Sequence, residues 1–516
     1  MSSFSITPHL PTPKACSLEH CPASLYRLAS GKRIYGKALI NQSLPNRTAR
    51  KIKNMSWNIV VVVSDTLRTA YLSPYGNDWI QTPNLARFAE QSVRFTNAHP
   101  ECLPTIPTRR TLHTGRRAYP FSTYTPVPWD NVYTPGWQPM SSDEPAIAES
   151  LVRNGYQTGF FADVPHYFVP GMNFTRGFRQ WQFVRGQAED RYRGGAHADP
   201  ALISRYRGNP ERIRAHIVNV QPERPEETWP TARLFRSAIE FVEHNHQNTP
   251  FYLYVDGFTP HETWEAPIHY YDLYGSREDR EPICLNLPYG SLKDEELEAR
   301  LPSVKANYAG LVTLVDTWFG RLVDTIDRLG LRDNTLIIFL ADHGTNFAEN
   351  PDKATGKPAN FMYPGTMDIP MIVSHPSGVN AGTTCDEFVY TLDVPATVMA
   401  ASQVEPAGEI QGQSLLPLVE GKDGFTSREY LTCRYVNSVW YKDAKSWYFS
   451  SVDFNDGIRL FDLEADLDCQ HDIADKGAER IALAQERILA DAGGHLPHYK
   501  RQGRTDALGR PQFAEA

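Results

Sequence analysis

Several acidic and imidazole side chains stand directly behind short, strongly apolar runs. Ile59–Val63 leads into Ser64, Asp65 and Thr66; Thr335–Leu340 leads into Ala341, Asp342, His343 and Gly344. Phe251–Val255 is followed by Pro260 and His261, and Gly159–Ala162 by Asp163, Val164, Pro165 and His166. Two carboxylates and an imidazole at adjoining sheet ends make a hard oxygen and nitrogen set suited to Mn²⁺, Ca²⁺ or Mg²⁺, with Zn²⁺ a further candidate. A single Asp after a strand is more often a turn or helix-capping residue, so the argument rests on the repetition.

Apolar runs of this length without alternation are strands buried on both faces, as in a parallel sheet covered by helices. Between them the spacing predicts helices over Asn84–Val93, Asp143–Asn154, Thr231–His244 and Val304–Leu329, each with one apolar face. The alternation predicts an α/β fold: a large, doubly wound, mostly parallel sheet with helices on both faces, whose ligands bind at the carboxyl ends of the strands. After the Pro- and Gly-bearing stretch 406–421, the runs Tyr430–Cys433, Val439–Tyr441, Trp447–Ser451 and Ile458–Phe461 predict antiparallel strands, and Ala478–Ala492 a last helix. The expected division is an irregular N-terminal extension over 1–54, a catalytic domain over 55–420, and a smaller C-terminal α+β subdomain over 421–516.

The segment Thr105-Ile-Pro-Thr-Arg109-Arg-Thr-Leu112-His-Thr114-Gly115-Arg116 is similar to the nucleophile motif of the sulfatase family in the alkaline phosphatase superfamily. That motif reads Cys or Ser, any residue, Pro, any residue, Arg, then Leu and Thr-Gly-Arg. Every fixed position agrees except the first, which is Thr105. Placing Cys102 in the first position would lose the Arg, Leu and Thr-Gly-Arg matches, so Cys102 reads as a small buried side chain. The segments around Asp65, Gly155, His261 and Asp342, and later Tyr363–Ile372, Asp393–Thr397 and Leu460–Asp466, follow in the family's order.

The resemblance implies an alkaline-phosphatase-like fold and an ester hydrolase with Thr105 as nucleophile. It places Arg109 and Lys357 as cations on the transferring group, His261 as general acid for the leaving oxygen, and His166 as the second choice. It assigns one divalent metal ion to Asp65, Thr66, Thr105, Asp342 and His343. Thr66 replaces the second Asp of the family's pair, which removes an anionic ligand and argues for one metal rather than two. Asp163 and Pro165 stand where sulfatases often carry Lys and His, so a sulfate-binding cation is missing there.

Threonine is not a substrate for the oxidation of Cys or Ser to formylglycine, but its hydroxyl can attack phosphorus. The residues therefore rank a phosphodiester or phosphonate monoester hydrolase first. A sulfuric ester hydrolase acting on a small-molecule or carbohydrate sulfate is the alternative, followed by a phosphotransferase or an inactive binding protein. Arg- and aromatic-rich stretches at Asn173–Phe178 and Arg185–Arg193 are candidates for the substrate entrance.

A net charge of −8 offers no general attraction to nucleic acid or anionic lipid. No apolar run approaches the ~20 residues that cross a bilayer, and no signal-peptide pattern follows Met1 or Met55. The seven cysteines lack paired spacing and are expected to be reduced. The expectation is a cytoplasmic protein with no membrane or nucleic-acid partner, an anionic small-molecule or carbohydrate ester as substrate, and homo-oligomerisation left open.

Overall fold

The computed structural model describes residues 56–120, 136–188, 190, 192–193, 199–220, 225–248, 250–505 and 511–515. The expected N-terminal extension, residues 1–54, lies outside them. An eight-stranded, mostly parallel sheet forms the centre, in the order Thr384–Cys385, Val93–Phe95, Met371–Ser374, Thr335–Ala341, Asn58–Ser64, Phe251–Gly257, Gln157–Ala162, Gln180–Phe183. Met371–Ser374 is the antiparallel member, pairing with Thr335–Ala341 on one side and Val93–Phe95 on the other.

The Asn58–Ser64 strand is buried along its whole length, as its run of one Ile and four Val requires. Each of these side chains contributes about 1.5–3 kcal/mol by leaving water. The strand runs parallel to both neighbours, with Ser64 opposite Ala341 and Gly257. This register brings Asp65 and Asp342 off the sheet at the same level, about one strand spacing of ~4.8 Å apart.

Three of the predicted helices have different boundaries. Pro83–Glu90 ends before Val93, which belongs to a sheet strand, and the second helix is only Ile147–Arg153. The long helix spans Glu295–Arg328, starting nine residues earlier than expected and running through Pro302. Asp294 explains the early start: its carboxylate accepts from the backbone N–H groups of Glu296 and Leu297, and three further Glu side chains lie in the first turn. Leu416–Glu420 forms a short helix inside the stretch read as Pro- and Gly-bearing loop.

The four predicted antiparallel strands appear as Tyr430–Tyr435, Ser438–Asp443, Ser446–Ser451 and Arg459–Asp462. A fifth strand, Cys102–Leu103, joins them in parallel next to Tyr430–Tyr435. The small sheet is thus braced directly against the residues preceding Thr105. Its core packs Trp440, Trp447 and Phe449 with Leu103, Met362 and Tyr363, so it buries side chains from both sides of residue 421. The helix Ala478–Asp491 is followed by a hairpin of Tyr499–Thr505 and Pro511–Glu515 that the sequence reading did not anticipate. No helix among the described residues is long and apolar enough to cross a membrane.

Helix Thr105–Thr114 is buried throughout. Near its end His113 lies among the rings of Phe160, Tyr167, Phe174, Phe178 and Tyr254, and its Nε2 has no hydrogen-bond partner. Burial, helped by Arg109, pushes this imidazole down to about 3. Because the folded value lies below the unfolded 6.5, its contribution to stability is complete above pH 6.5 and is lost as pH falls through 3. At about 1.4 kcal/mol per unit the loss has an upper bound of ~5 kcal/mol, with ~2 kcal/mol reached near pH 5. We predict that His113→Phe, which cannot be protonated, gains stability relative to wild type by that ~2 kcal/mol between pH 7.5 and pH 5 in urea unfolding; parallel pH profiles for the two proteins would refute it.

Candidate active site

The strand ends converge on one buried guanidinium. Arg109 Nε and Nη2 donate to the two oxygens of Asp256 at 3.1 and 2.8 Å, and Nη1 donates to Asp342 Oδ2. Asp65 Oδ2 lies 3.1 Å from Nη2. All four side chains are fully buried. Asp256, in the Phe251–Gly257 strand, also accepts from the Tyr167 hydroxyl at 2.6 Å. The sequence reading passed over Asp256; the signal available was a lone carboxylate closing an otherwise apolar strand.

Asp65, Asp342 and His343 have ligand atoms within 4.8 Å of one another. The His343 ring donates from Nδ1 to its neighbour's carbonyl, Gly344, at 3.0 Å, which leaves the Nε2 lone pair bare. That Nε2 and Asp65 Oδ2 are buried without hydrogen-bond partners. Both atoms have charged neighbours, Arg109 Nη2 at 3.1 Å from Asp65 Oδ2 and Asp342 Oδ2 at 3.1 Å from His343 Nε2, and two carboxylates with an imidazole lone pair gathered at one point are what a divalent cation satisfies. The donor set, oxygen and imidazole without thiolate, fits a hard or borderline ion.

The protonation balance agrees. Burial, with Asp342 alongside, raises the Asp65 carboxyl well above its usual range. Burial also acts to raise Asp342, but Arg109, His343 and the N–H groups of Thr66 and His343 outweigh it and hold that carboxyl low. Burial lowers His343 to about 4, so its ring is neutral at pH 7.

Thr66 orients the two carboxylates beside it. Its hydroxyl donates to Asp65 Oδ1 at 2.6 Å, and its N–H donates to Asp342 Oδ1 at 2.9 Å. With φ at 63° it turns the chain sharply behind the strand. It thereby aims the two carboxylates, while its oxygen keeps lone pairs that could still meet an ion.

Thr105 is the first residue of the Thr105–Thr114 helix. Arg109 follows four residues later and so projects from the same face one turn on. The helix amino end adds partial positive charge where an oxyanion would sit. Cys102 is buried in the preceding strand, where burial pushes its thiol well up, in keeping with a packing role.

A second group faces these residues. Lys357 is buried, not on a solvated loop, and donates to Glu262 Oε2 at 2.7 Å. His261 Nδ1 lies 3.1 Å from the same oxygen, its ring stacked on Phe258 at 4.0 Å. Glu262 was missed in the sequence, although a buried Lys needs a counter-charge. Burial and Lys357 depress His261 well below 6.5, and burial with Arg109 and Lys357 depresses His166 to about 4. Both rings rest neutral at pH 7; they are bases first, and act as acids only after taking up a proton. His166 packs edge-on against Trp137 and Phe258.

A family model described as Sulfatase matches residues 57–404, and one described as N-sulphoglucosamine sulphohydrolase, C-terminal, matches residues 358–479. The chain is 23% identical over 455 residues to an N-acetylglucosamine-6-O-sulfatase of Bacteroides thetaiotaomicron, covering 74% of each. Other curated relatives include further sulfatases and a multifunctional alkaline phosphatase superfamily protein. Among solved structures, a phosphonate monoester hydrolase of Agrobacterium radiobacter superposes with a TM-score of 0.62 at 19% identity, covering 84% of this chain and 96% of that one. A protein in complex with its substrate D-glucosamine-2-N,6-O-disulfate gives 0.63 at 19%, covering 85% and 98%.

The cluster predicts a thermal response. An ion that binds only the folded chain adds about 2.7 kcal/mol at 100 times its dissociation constant. Mn²⁺ or Ca²⁺ is expected to raise the melting temperature of the chelator-treated protein, and Asp342→Asn and His343→Ala to abolish the shift. An undiminished shift in both variants would place the ion elsewhere.

Proposed function

The chain belongs to the sulfatase family and is a hydrolase of the sulfatase and alkaline phosphatase superfamily; on that premise we propose that it cleaves a monoanionic tetrahedral ester, a carbohydrate sulfate first of all. The observation that carries the proposal is charge balance at the site. Asp65, Asp256, Asp342 and Glu262 face Arg109 and Lys357, which leaves two negative charges. Members of the family bind a divalent metal ion, and one such ion brings the site to neutrality. A neutral, buried site favours one incoming negative charge over two, because each uncompensated charge in a dry pocket costs several kcal/mol. Sulfate esters, phosphodiesters and phosphonate monoesters all carry a single charge.

Relatives named as sulfatases set the order among these three. The second reading, a phosphodiester or phosphonate monoester hydrolase, is favoured by Thr105 itself. A phosphothreonine is open to attack by water, whereas a sulfated threonine has no aldehyde through which to release its sulfate.

The ion, held by Asp65, Asp342 and His343 with Thr105 nearby, would draw charge from the ester oxygens and lower the pKa of a hydroxyl beside it. Arg109 orients the transferring group and stabilises its growing negative charge, itself held in place by Asp256. Thr105 Oγ1 attacks, with the amino end of its helix behind it. His261, neutral at rest and joined to Lys357 through Glu262, takes the proton that Thr105 gives up and passes it to the leaving oxygen. It then takes a proton from the water that attacks the transferred group and returns it to Thr105 as that bond breaks.

Turnover of aryl sulfate, aryl phosphodiester, aryl phosphonate monoester and aryl phosphomonoester is the decisive comparison. We expect activity on one or more of the three monoanionic classes, little on the dianionic phosphomonoester, and a loss of at least ~10²-fold in Thr105→Ala. Preference for the phosphomonoester would overturn the charge argument. Full activity in Thr105→Ala would remove Thr105 from the chemistry.

A further inference from the structure

We infer that the open edge of the large sheet is a second, non-catalytic subsite that holds the sugar chain of a sulfated substrate, formed by Phe168, Trp181 and Phe183 and rimmed by Tyr192, Arg185 and Arg193. The inference rests on the carbohydrate reading above.

Gln180–Phe183 is the outermost strand on this side. Edge strands are usually protected by charge, proline or short length; this one is short but presents Trp181, which is 51% exposed. Trp181 and Phe183, two residues apart, point to one face. Phe168 stacks on both, at 5.9 Å and 23° from Trp181 and at 4.5 Å and 11° from Phe183. Phe168 therefore backs the other two rings, Arg185 lies over Phe183, and the half-exposed Trp181 indole is the ring left open to solvent.

The rim is cationic. The Arg185 guanidinium lies over Phe183 at 5.1 Å and over Tyr192 at 5.6 Å, and the Arg193 guanidinium lies over Tyr192 at 5.4 Å. Arg185 is already paired with Asp190 at 2.6 Å, so the net positive charge comes from Arg193. Tyr192 is itself 39% exposed.

Size and chemistry select the occupant. The exposed apolar area is about one indole wide, small beside the several hundred Å² of a protein-docking patch, and its border is charged. A sugar ring covers such a surface with its C–H face while its hydroxyls stay hydrated, and its sulfate groups meet the arginines. Position makes it part of the same binding track: Phe168 follows His166 by two residues, and three strand spacings of ~4.8 Å separate the Asn58–Ser64 and Gln180–Phe183 strands, ~14 Å in all. A chain of several sugars reaches both places, and a small aryl ester does not.

The test measures binding apart from turnover. In a Thr105→Ala background, affinities are determined for sulfated hexasaccharides of glycosaminoglycan, carrageenan and ulvan type and for their desulfated counterparts. Aryl sulfate and aryl phosphodiester turnover is followed in parallel in chains with Thr105 intact. Trp181→Ala is expected to weaken the best-bound sulfated hexasaccharide about tenfold and Trp181→Phe to restore most of it. Arg193→Gln should narrow the preference for the sulfated form. Aryl ester turnover should be unchanged in all three. Hexasaccharide binding indifferent to Trp181, an equal loss of aryl turnover in Trp181→Ala, or no binding by any hexasaccharide would overturn the subsite. Absent aryl turnover in wild type alongside Trp181-dependent binding would uphold the subsite and overturn only the expected turnover of small aryl esters.

Discussion

A single guanidinium, Arg109, sits without solvent contact among Asp65, Asp256 and Asp342. One positive charge against three negative ones is unstable in a dry interior, since the cost of desolvating each carboxylate is repaid only by a partner. The raised Asp65 carboxyl registers that deficit. Asp65 and Asp342 are also the two carboxylates with His343 at their side, so a divalent ion held there would restore neutrality. The carboxylates that carry the excess charge are thus the ones whose position suits them to hold such an ion.

Much of the surrounding architecture keeps these groups in line. The parallel register fixes the level at which Asp65 and Asp342 leave the sheet. Tyr167 holds the far side of Asp256, and its ring belongs to the aromatic layer around His113 on the same helix as Arg109. At the other end of that helix, the Cys102–Leu103 strand ties the residues before Thr105 to the small antiparallel sheet. Movement of Thr105 and Arg109 relative to the strand ends would therefore require a buried helix to shift against both sheets.

The sequence made the strand ends legible because a buried strand in an α/β sheet has only one place to put a polar residue, just past its carboxyl end. Asp65, Asp342, His343 and His261 were found that way, and the Arg109 register came from the motif around it. Asp256 and Glu262 were not, since each is recognised only by the cation it serves, Arg109 from 147 positions away and Lys357 from 95. Pro302 hid the start of the long helix because a proline ordinarily marks a boundary, and the capping by Asp294 that overrides it is a three-dimensional fact. Thr66 was assigned by alignment with an acidic position, while its backbone conformation gives it the work of aiming its neighbours.

Asp163 shows how a departure from the family pattern can be absorbed. Where sulfatases often carry a lysine, this carboxyl accepts from the Phe258 N–H at 2.6 Å and from Gln187 Nε2 at 2.7 Å. Gln187 also donates to Thr259. Burial pushes the acid up to about 7, against these hydrogen bonds. Near neutral pH a large fraction of Asp163 is therefore uncharged, and the wall neither attracts nor strongly repels an anion. Its hydrogen bonds instead hold the segment from Phe258 to Thr259, immediately ahead of Pro260 and the His261 ring stacked on Phe258. A cation for binding has been exchanged for rigidity behind a base. On the proposed reading, anion recognition then rests on Arg109, Lys357 and the metal site, where one bound divalent ion would leave the charge balanced.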